Sequence, residues 1–176
     1  MEYNFSNKVV LVTGGSAGIG AAISLLFAKL GAKLAIVGRD VKCLQDVVEK
    51  CKKEKGQEVL PIIADLSTDD GCEKTASETL KYFGRLDILV NNAAIGAKAT
   101  IQTTDMEIFD RVFALNVRGV YNLTRLLVPA LIESKGNIVN ISSITAFATS
   151  VGSLPYGMSK VSQIDCRHEA SLYFTQ

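Results

Sequence analysis

Short runs of β-branched and aliphatic residues alternate along this chain with longer stretches whose apolar positions recur every three or four residues. The short runs, Val9–Val12, Leu34–Val37, Val59–Ile63, Ile88–Asn91 and Ile138–Ile141, predict five strands. Each is apolar on both faces, as in a parallel sheet covered by helices on either side. Among the helical stretches, the clearest sets Val41, Leu44, Val47, Val48 and Cys51 on one stripe and stops before Gly56, a residue that accepts a left-handed cap. A longer one runs from about Asp105 to Glu133. Its Phe109, Val112, Phe113, Val117, Val120, Leu123 and Leu127 hold a helical stripe, with Gly119 and Pro129 as places for bending. This alternation implies an α/β protein with a doubly wound parallel sheet. Right-handed crossovers favour the strand order 3-2-1-4-5, which places ligands at the carboxyl ends of the strands near the reversal point.

Composition narrows the classes. The 176 residues suit one domain spanning 1–176, 48% of them hydrophobic, with a mean hydropathy of +0.23, so a full core is expected. The net charge of +1 supplies no basic footprint, and nucleic acid is not an expected partner. Cys43, Cys51, Cys72 and Cys166 are widely spaced, which suits reduced thiols better than a disulfide framework. With a single histidine, His168, and no paired cysteines, no metal site is expected. The first apolar run, Val9–Val12, is too short for a membrane span or a signal core, so the expected location is cytoplasmic with no membrane partner.

Chemistry enters with Thr13-Gly14-Gly15-Ser16-Ala17-Gly18-Ile19-Gly20, which directly follows the first strand and opens the first helix. That context gives a glycine-rich loop its meaning as a pyrophosphate cradle, and makes the fold a Rossmann-type dinucleotide-binding one. Gly14 permits the tight turn, Gly18 lets backbone approach the phosphates, and Gly20 lets the helix pack close to the strand. Ser16 and Ile19 lie in the same loop, whose amides face the anion. The spacing is T-G-x-x-x-G-x-G, a variant of the commoner G-x-G-x-x-G. At the end of the second strand, where a carboxylate would select NAD, the chain has Gly38 and Arg39. A guanidinium suits a ribose 2′-phosphate, so NADP(H) is the preferred cofactor. Asp40 keeps NAD(H) open, since its carboxylate is either the cap of the next helix or within reach of a ribose hydroxyl.

Tyr156 and Lys160 stand four apart in a segment that starts a helix after Pro155, so they share a face. A phenol is a poor proton shuttle near neutrality, and an adjacent ammonium favours its ionised form. Ser143 lies at the end of the fifth strand, where ligands sit. With the glycine loop, Ala64-Asp65-Leu66, Asn91-Asn92-Ala93-Ala94 and Asn116, these residues closely resemble the short-chain dehydrogenase/reductase family over about residues 5–165. The resemblance implies an NADP(H)-dependent oxidoreductase that interconverts a secondary alcohol and a carbonyl by direct hydride transfer. In that reading Tyr156 is the acid/base, Ser143 polarises the carbonyl, Lys160 tunes Tyr156 and binds the nicotinamide ribose, and Asn116 holds a relay water through its backbone. Asp65 and Leu66 would meet the adenine, with Asn92 and Ala93 lining the cofactor cleft. Ala94 departs from the usual glycine, and a stiffened turn is the expected result. A homodimer or tetramer through the helices carrying Asn116 and Tyr156 is likewise implied.

The family pattern fails after the Tyr-x-x-x-Lys segment. From Cys166 the chain runs off pattern through 166–176, and His168 takes a core-facing position in the stripe of Val161 and Ile164. The resemblance is therefore to a shortened or variant member without the last two family strands. Two expectations follow: an exposed edge on the fifth strand, and Val161 and Ile164 left partly in water. The alternative to an enzyme is an inactive isoform that binds nucleotide or pairs with a full-length subunit.

Overall fold

The structure, a computed structural model, describes residues 3–54, 58–148 and 151–163. Gly56, Ile164, Cys166, His168 and the 166–176 tail lie outside the described residues. Five strands form one parallel sheet: β1 (Val9–Thr13), β2 (Lys33–Gly38), β3 (Val59–Ile63), β4 (Ile88–Asn91) and β5 (Asn137–Asn140), in the order β3-β2-β1-β4-β5. This is the doubly wound, Rossmann-type order that the sequence pattern predicts.

The helices that cross between strands are α1 (Gly18–Lys29), α2 (Val41–Lys52), α3 (Asp69–Phe83), α4 (Met106–Phe113) and α5 (Val120–Glu133), followed by helical residues 154–163, here α6. Side chains alternate across the sheet, so β1 feeds two cores. Val9 and Leu11 join Leu86, Leu89, Leu123 and Leu127 on one face; Val10 and Val12 join Leu34, Ile36, Leu44 and Val48 on the other.

Burial on both faces holds for β1, and for β2 beyond its first residue, but not at the sheet margins. Ile63 of β3 is 47% exposed and Val139 of β5 is 40% exposed, because an edge strand extends past the helices that cover the centre. β3 also carries Pro61, whose missing N–H is tolerated at an edge. Among the described residues β5 is an edge strand and Val161 is 45% exposed, as expected for that strand and that residue.

The long helical stretch is not one α-helix. Between α4 and α5 lies a π-helical segment, Ala114–Gly119, while α5 continues through Pro129 without a break. The wider turn inserts a residue and carries Asn116 to complete burial. Gly119 packs against the Leu66 carbonyl so closely that a Cβ there would overlap it.

At the opposite end of the sheet from the strands' carboxyl ends, Asp87 ties β4 to β1. Only 3% exposed, it accepts from Val9 N (2.9 Å), Lys8 Nζ (3.0 Å) and Arg85 Nε (2.9 Å) and Nη2 (2.7 Å). Burial by itself would raise its carboxyl, but the donations from Arg85, Val9 and Lys8 outweigh it and hold it below the usual range. A depressed carboxylate stabilises the fold fully above the titration of the unfolded group and loses that contribution as pH falls through its folded value. Asp87→Ala, which strands the buried Val9 N–H, should cost about 1–3 kcal/mol in a denaturation curve at pH 7. That deficit should shrink as the pH is lowered through the carboxylate range; a pH-independent deficit would show that the ion cluster is not its source.

Candidate active site

β1 ends in a polar junction. The Thr13 hydroxyl donates to Val90 O (3.2 Å) and accepts from the amides of Asn92 (2.9 Å) and Ala93 (3.0 Å). In return, Asn92 Nδ2 donates to Thr13 O (2.9 Å) and Gly14 O (3.2 Å). The loops leaving β1 and β4 are thereby joined. Gly14 is left-handed (φ 64°), and a Cβ on it would lie 2.9 Å from Ala93 Cα. A Cβ on Gly20 would overlap the Gly14 carbonyl, and one on Gly15 would overlap Ile36 Cγ2. Gly18 differs: it too has positive φ (54°), but the space around it is open.

That open space belongs to a cleft of about 390 Å³ whose walls include Gly14, Ser16, Gly18, Ile19, Arg39, Asp65, Leu66, Asn92, Ala93 and Ala94. Its volume falls in the range of small-molecule sites. The cap residue of α1 is Ala17, which offers no side-chain acceptor to the first-turn N–H groups, and that turn holds no acidic residue. Those donors border the cleft at the positive end of the helix, an arrangement suited to an anion.

At the far end of the cleft Arg39 and Asp65 form a long ion pair of 3.5 Å, with both side chains substantially exposed. Burial would raise Asp65, yet the Ser67 amide (3.0 Å) and hydroxyl (2.7 Å), aided by Arg39, keep it below the usual range. Asp40 takes the cap position that the sequence allows. Its carboxylate accepts from Cys43 N at 2.8 Å and caps α2, and this hydrogen bond lowers its pKa. Gly38 is required by its neighbour, since a Cβ there would stand 2.9 Å from Ser16 Cβ. Ala94 lines the cleft and is not left-handed, so its methyl carries no backbone strain.

Asn116, Ser143, Tyr156 and Lys160 do not line this cleft. They lie beyond it, around the start of α6. The Asn116 side chain accepts from Ile95 N (2.9 Å) and donates to Ile95 O (2.9 Å) and Ser159 Oγ (2.9 Å), linking the loop after β4 to α6. Ser159 in turn donates to Tyr156 O at 2.7 Å. Lys160 is 2% exposed; its ammonium donates to Ile141 O (2.7 Å) and Gln163 Oε1 (3.1 Å) and stands 5.7 Å from the centre of the Tyr156 ring. Burial pushes its pKa down to about 8. Ser143 Oγ accepts from Thr145 N (3.2 Å) and Thr145 Oγ1 (2.9 Å), which leaves its own proton available. The Ser143 segment is held to α6 by Ser142 Oγ, which donates to Lys160 O at 3.0 Å.

Sequence reasoning left Thr13, Gly15, Ser142 and Gln163 without roles. For Gly15 the glycine run was the available signal; the others depend on partners distant in the chain.

The family model described as short chain dehydrogenase matches residues 8–171. An 11-beta-hydroxysteroid dehydrogenase-like protein of Arabidopsis thaliana is 36% identical over 162 residues, covering 92% of this chain and 53% of that protein. A metagenomic short-chain oxidoreductase solved with NADP is 34% identical with a TM-score of 0.91, covering 98% of this chain and 78% of that one. An NAD+-bound xylitol dehydrogenase is 29% identical, again with a TM-score of 0.91, covering 97% and 66%. The chain spans between about half and two thirds of the length of the curated relatives it matches. Fold, glycine loop and matched length agree, and the chain belongs to the short-chain dehydrogenase family.

Proposed function

We propose that this chain binds NADP(H) in the cleft after β1 and interconverts a secondary alcohol and a carbonyl at Tyr156. The observation that carries this reading is the buried Lys160 ammonium beside the Tyr156 ring, in a fold whose uncapped α1 terminus opens into a cleft of nucleotide size. When bound, the nicotinamide supplies or accepts the hydride.

The chain's own groups do the rest. First-turn amides of α1 hold the pyrophosphate, with Gly18 leaving the approach clear. Asp65 and Leu66 contact the adenine, and Asn92 and Ala93 form the cleft wall. Tyr156 gives a proton to the substrate oxygen in reduction and takes it back in oxidation. Ser143, whose hydroxyl already accepts from Thr145, donates to the same oxygen and favours its developing negative charge. Lys160 remains largely an ammonium at pH 7 and stands beside the Tyr156 ring, where it would bind the nicotinamide ribose. Asn116 fixes the turn on which this geometry stands, and its main-chain carbonyl, which the resemblance assigns to a relay water, here accepts from Gln163 Nε2 at 3.1 Å.

The cofactor choice rests on Arg39. Solved relatives hold NADP in one case and NAD+ in another. Here the residue at the end of β2 is a cation, and one oxygen of the carboxylate beside it, Asp40, caps α2. Release of Arg39 from Asp65 lets it pair with a 2′-phosphate, for which its planar fork is suited.

A second reading has its own support: Ile144, Phe147 and Met158 are exposed apolar side chains close to α6. It makes the chain a nucleotide-binding subunit without turnover that pairs with another chain there.

Two measurements test these readings. NADPH consumption against a panel of ketones and aldehydes should fall at least about 100-fold in Tyr156→Phe with NADPH affinity kept. Tight NADPH binding without turnover by the parent chain would favour the second reading. Arg39→Ala should weaken NADPH about tenfold, about 1.4 kcal/mol, while leaving NADH nearly unchanged; equal losses for both would remove Arg39 as the selector.

A further inference from the structure

Gln163 is 2% exposed, yet its amide ends in no solvent contact or helix cap. Its Oε1 accepts from Lys160 Nζ (3.1 Å), and its Nε2 donates to the main-chain carbonyl of Asn116 (3.1 Å). Three residues after Lys160 on α6, it shares that residue's face. A buried amide is costly unless its donors and acceptors are used, and here both ends of the group are engaged. The lysine has three N–H groups. Ile141 O takes one and Gln163 takes another, so one remains, with the Tyr156 ring centre 5.7 Å from the nitrogen.

We propose that Gln163 is a positioning residue for the Lys160–Tyr156 pair: its amide ties the lysine ammonium to the Asn116 carbonyl of the π-helical segment and closes that side of the ammonium to proton exchange. A carboxamide neither gains nor loses a proton near neutrality, so it fixes the lysine without relaying. The proton route from Tyr156 is thereby confined to the remaining lysine N–H and whatever it meets in the cofactor site. Gln163 Oε1 and Ile141 O together stabilise the charged amine against its burial.

Among the described residues, the groups facing Lys160 are the Ile141 carbonyl at the end of β5, Asn116 from the π-helical segment through Gln163, and Tyr156 and Gln163 from α6 itself. Tyr156 is the titratable one, and among the described residues no carboxylate forms an ion pair with Lys160. Among these groups, Gln163 is the one whose substitution changes the charge or the acceptor at Lys160 directly.

The inference rests on the reading of Lys160 as the ammonium that serves Tyr156, and its test requires no turnover. Competitive acylation of the full chain, followed across pH and read at Lys160 by mass spectrometry, gives the midpoint of that amine. Gln163→Met removes the acceptor at nearly constant size and should lower the midpoint by about half a pH unit or more. Gln163→Glu places a carboxylate there and should raise it by about one pH unit or more. Midpoints for both within about 0.2 pH unit of the parent would overturn the proposal. Should Gln163→Met fail to fold, as judged by circular dichroism, Gln163→Glu decides alone, and an unshifted midpoint overturns it. A chain inactive toward every carbonyl but showing both shifts would refute the enzymatic reading and leave this assignment standing.

Discussion

Two parallel strands that leave a sheet at the same end send their loops over the same ground, and something must hold those loops in register. Here the Thr13 hydroxyl does so, spending both its donor and its acceptor capacity on the strand and loop of β4, while Asn92 returns two bonds to the β1 loop. The glycines of the β1 loop take their places from this junction. Gly14 must be left-handed and bare where it meets Ala93, and Gly20 must be bare where α1 crosses the Gly14 carbonyl. The bare N-terminus of α1 and the cleft it faces are consequences of the same close approach.

From the junction the structure reaches the second cluster through buried polar groups. Asn91 Nδ2 donates to Thr124 Oγ1 (3.1 Å) and Asn140 Oδ1 (2.9 Å), joining β4 to α5 and β5. Asn140 Nδ2 continues to Gln163 O (3.0 Å), and Asn116 grips both Ile95 and Ser159. Such groups are costly to bury singly and stabilising when all are bonded, which makes the network intolerant of partial change. It is also what lets a lysine sit almost without solvent beside a tyrosine.

The π-helical segment bridges the two halves. Its first residues bring Leu115 to the cleft and Asn116 to the α6 network, while its last, Gly119, lies against the Leu66 carbonyl. The Cys72 thiol fills the same contact, 3.5 Å from Leu66 O and 3.7 Å from Gly119 O. Burial raises that thiol to about 11, so it stays protonated as a donor. The cleft and the α6 network thus share one packed element.

Much of this was legible in the chain. A strand's apolar run, a helix's period and the spacing of Gly14, Gly18 and Gly20 are local properties, and they determined the strand order, the position of the glycine loop and the common face of Tyr156 and Lys160. Tertiary structure alone decided what depends on groups far apart in sequence. The π-helical turn at Asn116 breaks a period that reads as continuous, because burial of its side chain on Ile95 and Ser159 outweighs the regular ladder. Arg39 became a partner of Asp65 only once the loops after β2 and β3 met. Gln163 reaches Asn116 across forty-seven residues, and no local pattern encodes a hydrogen bond of that span.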